Sequence, residues 1–226
     1  MPIDISELPL VGGHPGLDLV NTVTPRVAVR GHEPHDHLVD PFALLLWARR
    51  AALVDEGEVR AVAGAWGRDP GSAQAALGAA RDVREALHVT LLAATGMVPQ
   101  DAAATGAALD RLHSRWSASV GRSTLVLDAE STPAVRLAVG MVPALLVPDR
   151  VADAALDLLR TADFTRLGRC PPDSGGCGWI FLDHSRNSSR RWCRMADCGT
   201  EVKARRLTER RRAARPSRGQ STDPRG

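Results

Sequence analysis

The sequence predicts a mainly α-helical protein: an N-terminal helical domain containing a small β-hairpin, followed by a treble-clef-like finger held by four cysteines. Three observations predict it. Apolar residues recur at three-and-four spacing through much of residues 40–161, the period of helices buried along one face. Within that region one stretch, 124–139, alternates as paired strands do. All four cysteines, Cys170, Cys177, Cys193 and Cys198, fall in one C-terminal stretch as C-x6-C-x15-C-x4-C.

The first strong helix begins after Asp40-Pro41, a cap followed by a first-turn proline. It carries Phe42, Ala43, Leu44, Leu45, Leu46 and Trp47 and runs on towards Ala51, Ala52 and Leu53. A second, short helix spans 61–66 and ends at the breaker Gly67-Arg68-Asp69-Pro70-Gly71. A long one follows from about 72 to 94, with Ala80, Val83, Ala86, Leu87, Thr90 and Leu91 as its apolar stripe. Leu109, Leu112 and Trp116 mark another. Residues 124–128 and 134–139 read as a β-hairpin joined by Ala129-Glu130-Ser131-Thr132-Pro133. The helix at 150–161 then feeds 164–169 and the finger. The expected organisation is a helical domain over 1–165, a finger over 166–213, and a disordered basic tail over 214–226.

Two close cysteine pairs on separate loops are what a tetrahedral ion needs. Zinc ranks first, ahead of an iron–sulfur cluster, redox thiols and disulfides. The spacing matches neither ferredoxin pattern, and the acidic N-terminus lacks the basic start and apolar core of a signal peptide, which points to a cytoplasmic setting where thiols stay reduced. Four thiolates leave no open coordination position, so the site is structural. His184 lies between the pairs and reads as a surface or outer-shell histidine.

Charge divides the chain at the same place. Residues 1–185 hold 16 Lys+Arg against 22 Asp+Glu, a net −6, whereas 186–226 hold 13 against 4, a net +9. A four-thiolate zinc centre carries a formal −2 and absorbs little of that excess. The surplus is an electrostatic footprint for a polyanion, nucleic acid ahead of an anionic membrane. No apolar run reaches transmembrane length, and the helix over 199–213 offers too little apolar surface to lie on a bilayer.

Around the ligands, Gly178-Trp179-Ile180-Phe181-Leu182 reads as a strand, Asp183 to Ser189 as a turn, and Arg190-Arg191-Trp192-Cys193 as the returning partner strand. Asp197 is placed to cap the following helix, and Glu201 suits its first turn. Trp179, Phe181, Trp192 and Leu207 supply the small core, too little to fold without metal. Arg186, Asn187, Arg190 and Arg191 crowd the turn with Arg194 nearby, and Lys203, Arg206 and Arg210 share a helical stripe. These eight are the candidate nucleic-acid contacts.

The run Cys177-Gly178-Trp179-Ile180-Phe181-Leu182-Asp183-His184-Ser185-Arg186-Asn187, with Arg190-Arg191-Trp192-Cys193-Arg194-Met195 and Cys198-Gly199, closely resembles the CGNR zinc-finger family of bacteria. Gly12-Gly13-His14-Pro15-Gly16-Leu17-Asp18-Leu19-Val20-Asn21-Thr22-Val23 resembles the N-terminal motif of the ABATE domain joined to such fingers. The resemblance implies a stress-induced transcriptional regulator or RNA-binding protein that holds zinc. One departure is plain: the family's Cys-Gly-Asn-Arg stands here as Cys198-Gly199-Thr200-Glu201. The ligands are untouched, but any phosphate contact from that arginine does not carry over, and Glu201 is spaced to pair with Arg205.

No catalytic motif for a serine hydrolase, zinc protease or phosphate loop occurs, and Lys203 is the single lysine; the protein is read as a non-enzyme. His32, His35 and His37 could hold a second metal but sit in a proline-broken stretch. Asp18 and Asn21 are the polar groups singled out for a small-molecule effector. The expected partners are therefore nucleic acid, DNA ahead of RNA, an effector, and a second copy of the chain, because one small finger builds little interface. The alternatives are a zinc-stabilised protein-interaction scaffold and, behind it, an enzyme acting on a small molecule.

Overall fold

A computed structural model describes residues 4–29, 31–99, 101–127 and 135–213. The chain opens with α1 (Pro15–Val20), where His14 caps the first turn by accepting the Gly16 N–H at 3.0 Å. Two residues each of β1 (Val23–Thr24) and β2 (His35–Asp36) pair antiparallel. Then α2 (Pro41–Arg50) starts where expected, with the Asp40 carboxylate accepting the Ala43 N–H at 2.7 Å.

The next helix is longer than its sequence signal. α3 (Glu56–Arg68) begins at a capping box in which Asp55 and Glu58 each accept the other's backbone N–H at 2.9 Å. The breaker after it is a single joint. Asp69 ends α3 and at once caps α4 (Pro70–Ala94), accepting from Gly71 and Ser72. α4 is the central element, and its stripe of Ala80, Val83, Ala86, Leu87 and Leu91 is buried to 1% exposure or less. Each fully buried leucine there stabilises the fold by roughly 1.5–3 kcal/mol.

α5 (Ala102–Val120) packs along α4, but with a rotated face. Ala108 and Leu112 are buried, while Leu109 stays 48% exposed, because the buried row runs 108–112 and not 109–112–116. β3 (Thr124–Leu127) and β4 (Val135–Ala138) form the expected hairpin, with Leu125 opposite Leu137 and Leu127 opposite Val135. Its connection lies outside the described residues. α6 (Leu146–Thr161) starts one turn earlier than expected and carries Pro148 in that first turn, where no helical N–H bond is lost.

The finger departs from expectation in its pairing. β6 (Ile180–Leu182) pairs antiparallel with β5 (Leu167–Arg169), which precedes the first cysteine, in the register Leu167–Leu182, Gly168–Phe181, Arg169–Ile180. Residues 190–193 form no strand. The Asp183 carboxylate instead takes the N–H groups of both Ser185 (2.7 Å) and Arg190 (2.8 Å), winding 183–190 into a loop. The last element of the described residues is α7 (Thr200–Ala213). Leu207, expected in the finger core, is 50% exposed, and Val202 at 2% takes that place. The predicted tail, 214–226, lies outside the described residues.

The finger has no separate core. Trp179, Ile180, Phe181, Trp192 and Val202 belong to one continuous buried cluster with Leu17, Leu44, Trp47, Leu87 and Leu158. Among the described residues no helix is long and apolar enough to cross a membrane.

Candidate metal centre and its basic surface

Cys170 follows β5 directly, and the ladder continues past it: its N–H donates to Trp179 O at 2.8 Å, and Gly178 N–H donates to Cys170 O at 3.1 Å. The hairpin therefore delivers Cys170 and Cys177 together at one end. Between them a 3-10 turn, Pro172–Ser174, closes through Gly175 in the left-handed region at φ 84°. Gly176 is fixed by crowding, since a Cβ there would meet Cys170 Sγ at 2.7 Å and the Pro171 backbone N and O at 2.9 Å. The second pair is held differently. Cys193 lies before, and Cys198 inside, a π-helical turn, Met195–Gly199, that runs straight into α7. Asp197 does not cap that helix; it pairs with Arg194 at 3.5 Å, while Thr200 Oγ1 donates to Met195 O at 2.9 Å.

The four sulfurs converge. All lie within 4.8 Å of one another, with Cys177–Cys193 at 3.4 Å and Cys193–Cys198 at 3.8 Å. A tetrahedral zinc with bonds of about 2.3 Å sets its sulfurs about 3.8 Å apart, so the cage has the right size. Hydrogen bonds from Cys177, Cys193 and Cys198 hold the Cys170 thiol well below its ordinary range, while the bond with Cys170 pushes Cys177 and Cys193 up. Four buried sulfurs cannot ionise together without a cation among them, and binding a metal ion is what releases all four protons. Among the described residues this is the one group of three or more His, Cys, Asp or Glu whose donor atoms converge in this way. His32 is not brought to it, His35 and His37 stack edge to face at 4.8 Å, and His184 is exposed beside Gly13.

The N-terminal motif proves to be the strap that holds this centre. Asn21, 1% exposed, accepts the Ile180 N–H at 3.0 Å and donates to Ile180 O at 2.8 Å, so its amide mimics a neighbouring strand along β6. Leu182 N–H donates to Gly12 O (2.8 Å), Arg26 N–H to Cys177 O (2.7 Å), and Trp179 Nε1 to Val23 O (2.9 Å). Asp18 is turned onto its own strap, accepting the Gly12 N–H at 2.8 Å. Burial pushes its carboxyl up to about 6. Asp18 and Asn21, singled out for an effector, are thus spent on backbone. Their role was not readable from sequence, because the partner strand of Asn21 lies 159 residues away.

Beneath the strap is an ionic network. Arg26 pairs with Glu85 at 2.8 Å, and Arg84 grips both oxygens of Asp36 at 2.6 and 2.9 Å while donating to Thr22 Oγ1 at 3.1 Å. Burial alone would raise the Asp36 carboxyl, but the Arg84 hydrogen bonds hold it below its ordinary value. The network fixes the strap to α4, as the strap fixes β6.

Of the candidate nucleic-acid contacts, Arg186, Asn187, Arg191, Arg194, Lys203 and Arg210 are exposed. Arg190 is not with them. Its guanidinium lies 4.1 Å over the Phe181 ring and donates to the carbonyls of Val11 (2.9 Å), Trp192 (3.2 Å), Leu182 (3.3 Å) and Cys193. Five carbonyl-seeking donors in a planar fork explain why arginine is used there. The side chain of Arg206 lies outside the described ones. Trp179 and Trp192 are buried at 5% and 8%, so both are core residues. Arg205, which the sequence paired with Glu201, donates to Ser174 O at 2.7 Å and so ties α7 to the cysteine knuckle.

Residues 166–211 match the family model described as CGNR zinc finger, and residues 13–162 match the ABATE model, described as "Putative stress-induced transcription regulator". The second match begins within the strap and ends one residue past α6. No curated protein matches the chain.

Proposed function

Because this chain belongs to the ABATE family, described as "Putative stress-induced transcription regulator", and carries a CGNR zinc finger, we propose that it is a zinc-loaded regulator whose finger binds nucleic acid, DNA ahead of RNA. Cys170, Cys177, Cys193 and Cys198 hold Zn2+, whose role is to fold the second ligand pair and the start of α7 onto the hairpin. The single observation that carries the reading is the separation of roles among the arginines. Arg190 faces inward and builds the finger, while Arg186, Arg191, Arg194, Lys203 and Arg210 stand exposed on it, Arg194 paired with exposed Asp197 and Arg191 over the Trp192 ring. Exposed cations on a rigid metal-held frame position phosphates, and Asn187 at the turn is the neutral group available for a base edge.

The reading keeps the protein in the cytoplasm, where thiols stay free for metal, and assigns it no catalytic step. Exposure of Met195 (55%) and Leu207 (50%) on the same finger favours, as a second reading, an acidic protein partner with an apolar contact.

Binding of the zinc-loaded protein to mixed DNA and RNA pools over a salt series tests the first reading. Five engaged cations give a slope of log K against log salt of about −4.5 on duplex DNA. The Cys193→Ser, Cys198→Ser variant loses the binding. Absence of binding at low salt overturns the reading and moves it to the protein partner.

A further inference from the structure

A sizeable opening lies away from Asp18 and Asn21. It is a cavity of about 1050 Å3 between the loop joining α2 to α3, strand β4 and helix α6, the size of site that takes a small organic molecule. Its walls are chiefly apolar, with Leu53, Val54, Ala61, Ala138 and Leu146 among them.

The charges on its wall do not balance once their partners are counted. Arg150 is occupied by Glu58 at 2.7 Å and by the carbonyls of Leu53 and Val139. Arg49 pairs with Glu56 at 3.1 Å, and Arg136 also has an interaction of its own. His14 accepts the Gly16 N–H at Nδ1, so its proton sits on Nε2 and points to Asp157 Oδ2 at 3.2 Å. Asp55 is engaged as the cap of α3. Asp153 is the exception. It lines the cavity half-buried, one helical turn before Asp157, and among the described residues no hydrogen bond or ion pair engages it. Every cation on the wall is answered, and one carboxylate is not.

The cavity also touches the strap. His14 and Pro15 line it, as the N-cap and first residue of α1, the six-residue helix whose C-cap, Asn21, holds Ile180. α1 sits tightly on α6, since a Cβ on Gly16 would lie 3.3 Å from Ala154 O. His14 and Asn21 thus cap the two ends of one turn-and-a-half of helix that reaches β6.

We propose that this cavity binds a small organic cation, its ammonium on Asp153 and Asp157 and its hydrocarbon against Leu53, Ala61 and Leu146, and that α1 relays its occupancy to the zinc finger. The ligand class follows from the one unanswered carboxylate, half-buried beside apolar wall residues. The relay follows because a ligand on Asp157 changes what His14 meets. The effect on regulation rests on the nucleic-acid reading, whereas ligand binding itself does not.

The test uses the full zinc-loaded chain with hexylammonium, hexanoate and hexanol as matched probes at constant ionic strength. Hexylammonium is expected to raise the melting temperature in a saturable way while the other two do not, and Asp153→Asn, which leaves every wall contact above intact, weakens its binding at least tenfold. Equal effects from amine and carboxylate, or full binding by Asp153→Asn, overturn the ligand class. No binding by any probe overturns the site. For the relay, hydrogen exchange at the Ile180 and Leu182 amides changes on adding the amine, and nucleic-acid affinity moves by about fivefold or more, the scale of a coupled site. Unchanged exchange overturns the relay. Changed exchange in a protein that binds no nucleic acid upholds it and rejects only the regulator reading.

Discussion

Asn21 and Ile180 are joined by two hydrogen bonds between one side-chain amide and both polar groups of one buried peptide residue, at 3.0 and 2.8 Å. Neither can be replaced by water, because Ile180 is fully buried and Asn21 nearly so. The pair makes the N-terminal strap and the metal centre one structure.

Asn21→Ala therefore leaves a donor and an acceptor unsatisfied in the core. The expected loss is about 2–4 kcal/mol, read as a lower urea midpoint at unchanged m-value. Asn21→Asp keeps the acceptor for Ile180 N–H but sets a carboxylate against Ile180 O, and is expected to destabilise at least as much.

Gly176→Ala places a methyl against Cys170 Sγ and the Pro171 backbone, none of which is the free end of a flexible side chain. Zinc affinity in a chelator competition is expected to fall by tenfold or more. Helical circular dichroism holds nearly constant, because α4, α5 and α6 lie outside the knuckle. Gly67→Ala, where a Cβ meets nothing, is the neutral control.

Asp18 and His88 give opposite pH signatures. Burial raises the Asp18 carboxyl from 3.8 to about 6, so its contribution is fully present below pH 4 and is lost as pH rises through 6, roughly 3 kcal/mol in all. Asp18→Asn, which keeps the acceptor for Gly12 N–H, is expected to gain stability over the parent at pH 8 and to match it at pH 4. Burial, with Arg26 nearby, lowers His88 from 6.5 to about 3. Its contribution is present above pH 6.5 and is lost as pH falls towards 3. An NMR titration is expected to show the His88 ring still neutral at pH 5, and a midpoint near 6.5 would refute the depressed value.

Arg190→Ala and Arg191→Ala separate framework from surface. The first removes the donor to Val11, Trp192, Leu182 and Cys193 and is expected to cost about 2–4 kcal/mol of stability. The second leaves the melting temperature within a degree or so. It weakens nucleic-acid binding alike across sequences and reduces the salt slope by about 0.9.

What could be read from the residues depended on how local the cause was. The cysteine cage was legible because its spacing is written within one short stretch, and α2 and α4 were legible from Asp40-Pro41 and from a long apolar stripe. α1 was missed, since six residues are too few to display a helical period, and its cap is a histidine. The start of α3 was missed because Asp55 and Glu58 act through reciprocal bonds that flank a glycine. The partner of β6 was misassigned because strand propensity says which residues extend, not which edges meet. The segment 190–193 has the better propensity, while 167–169 has Gly168, whose bare backbone lets the Phe181 ring approach within 2.6 Å of where a Cβ would stand. The inward turn of Arg190 carries no sequence signal at all, lying as it does beside an exposed Arg191 of identical chemistry.

The strap also sets an order of events during synthesis. Gly12 and Asn21 leave the ribosome long before Leu182 and Ile180, their partners 170 and 159 residues later, and contacts of such separation close late. Until then α1 has polar groups committed to a strand that does not yet exist. A nascent chain that stops before Cys170 lacks both the cage and the cover for Asn21, so the helical portion cannot reach its final state ahead of the finger. Completion of β6 is thus the condition on which the N-terminal strap is finished.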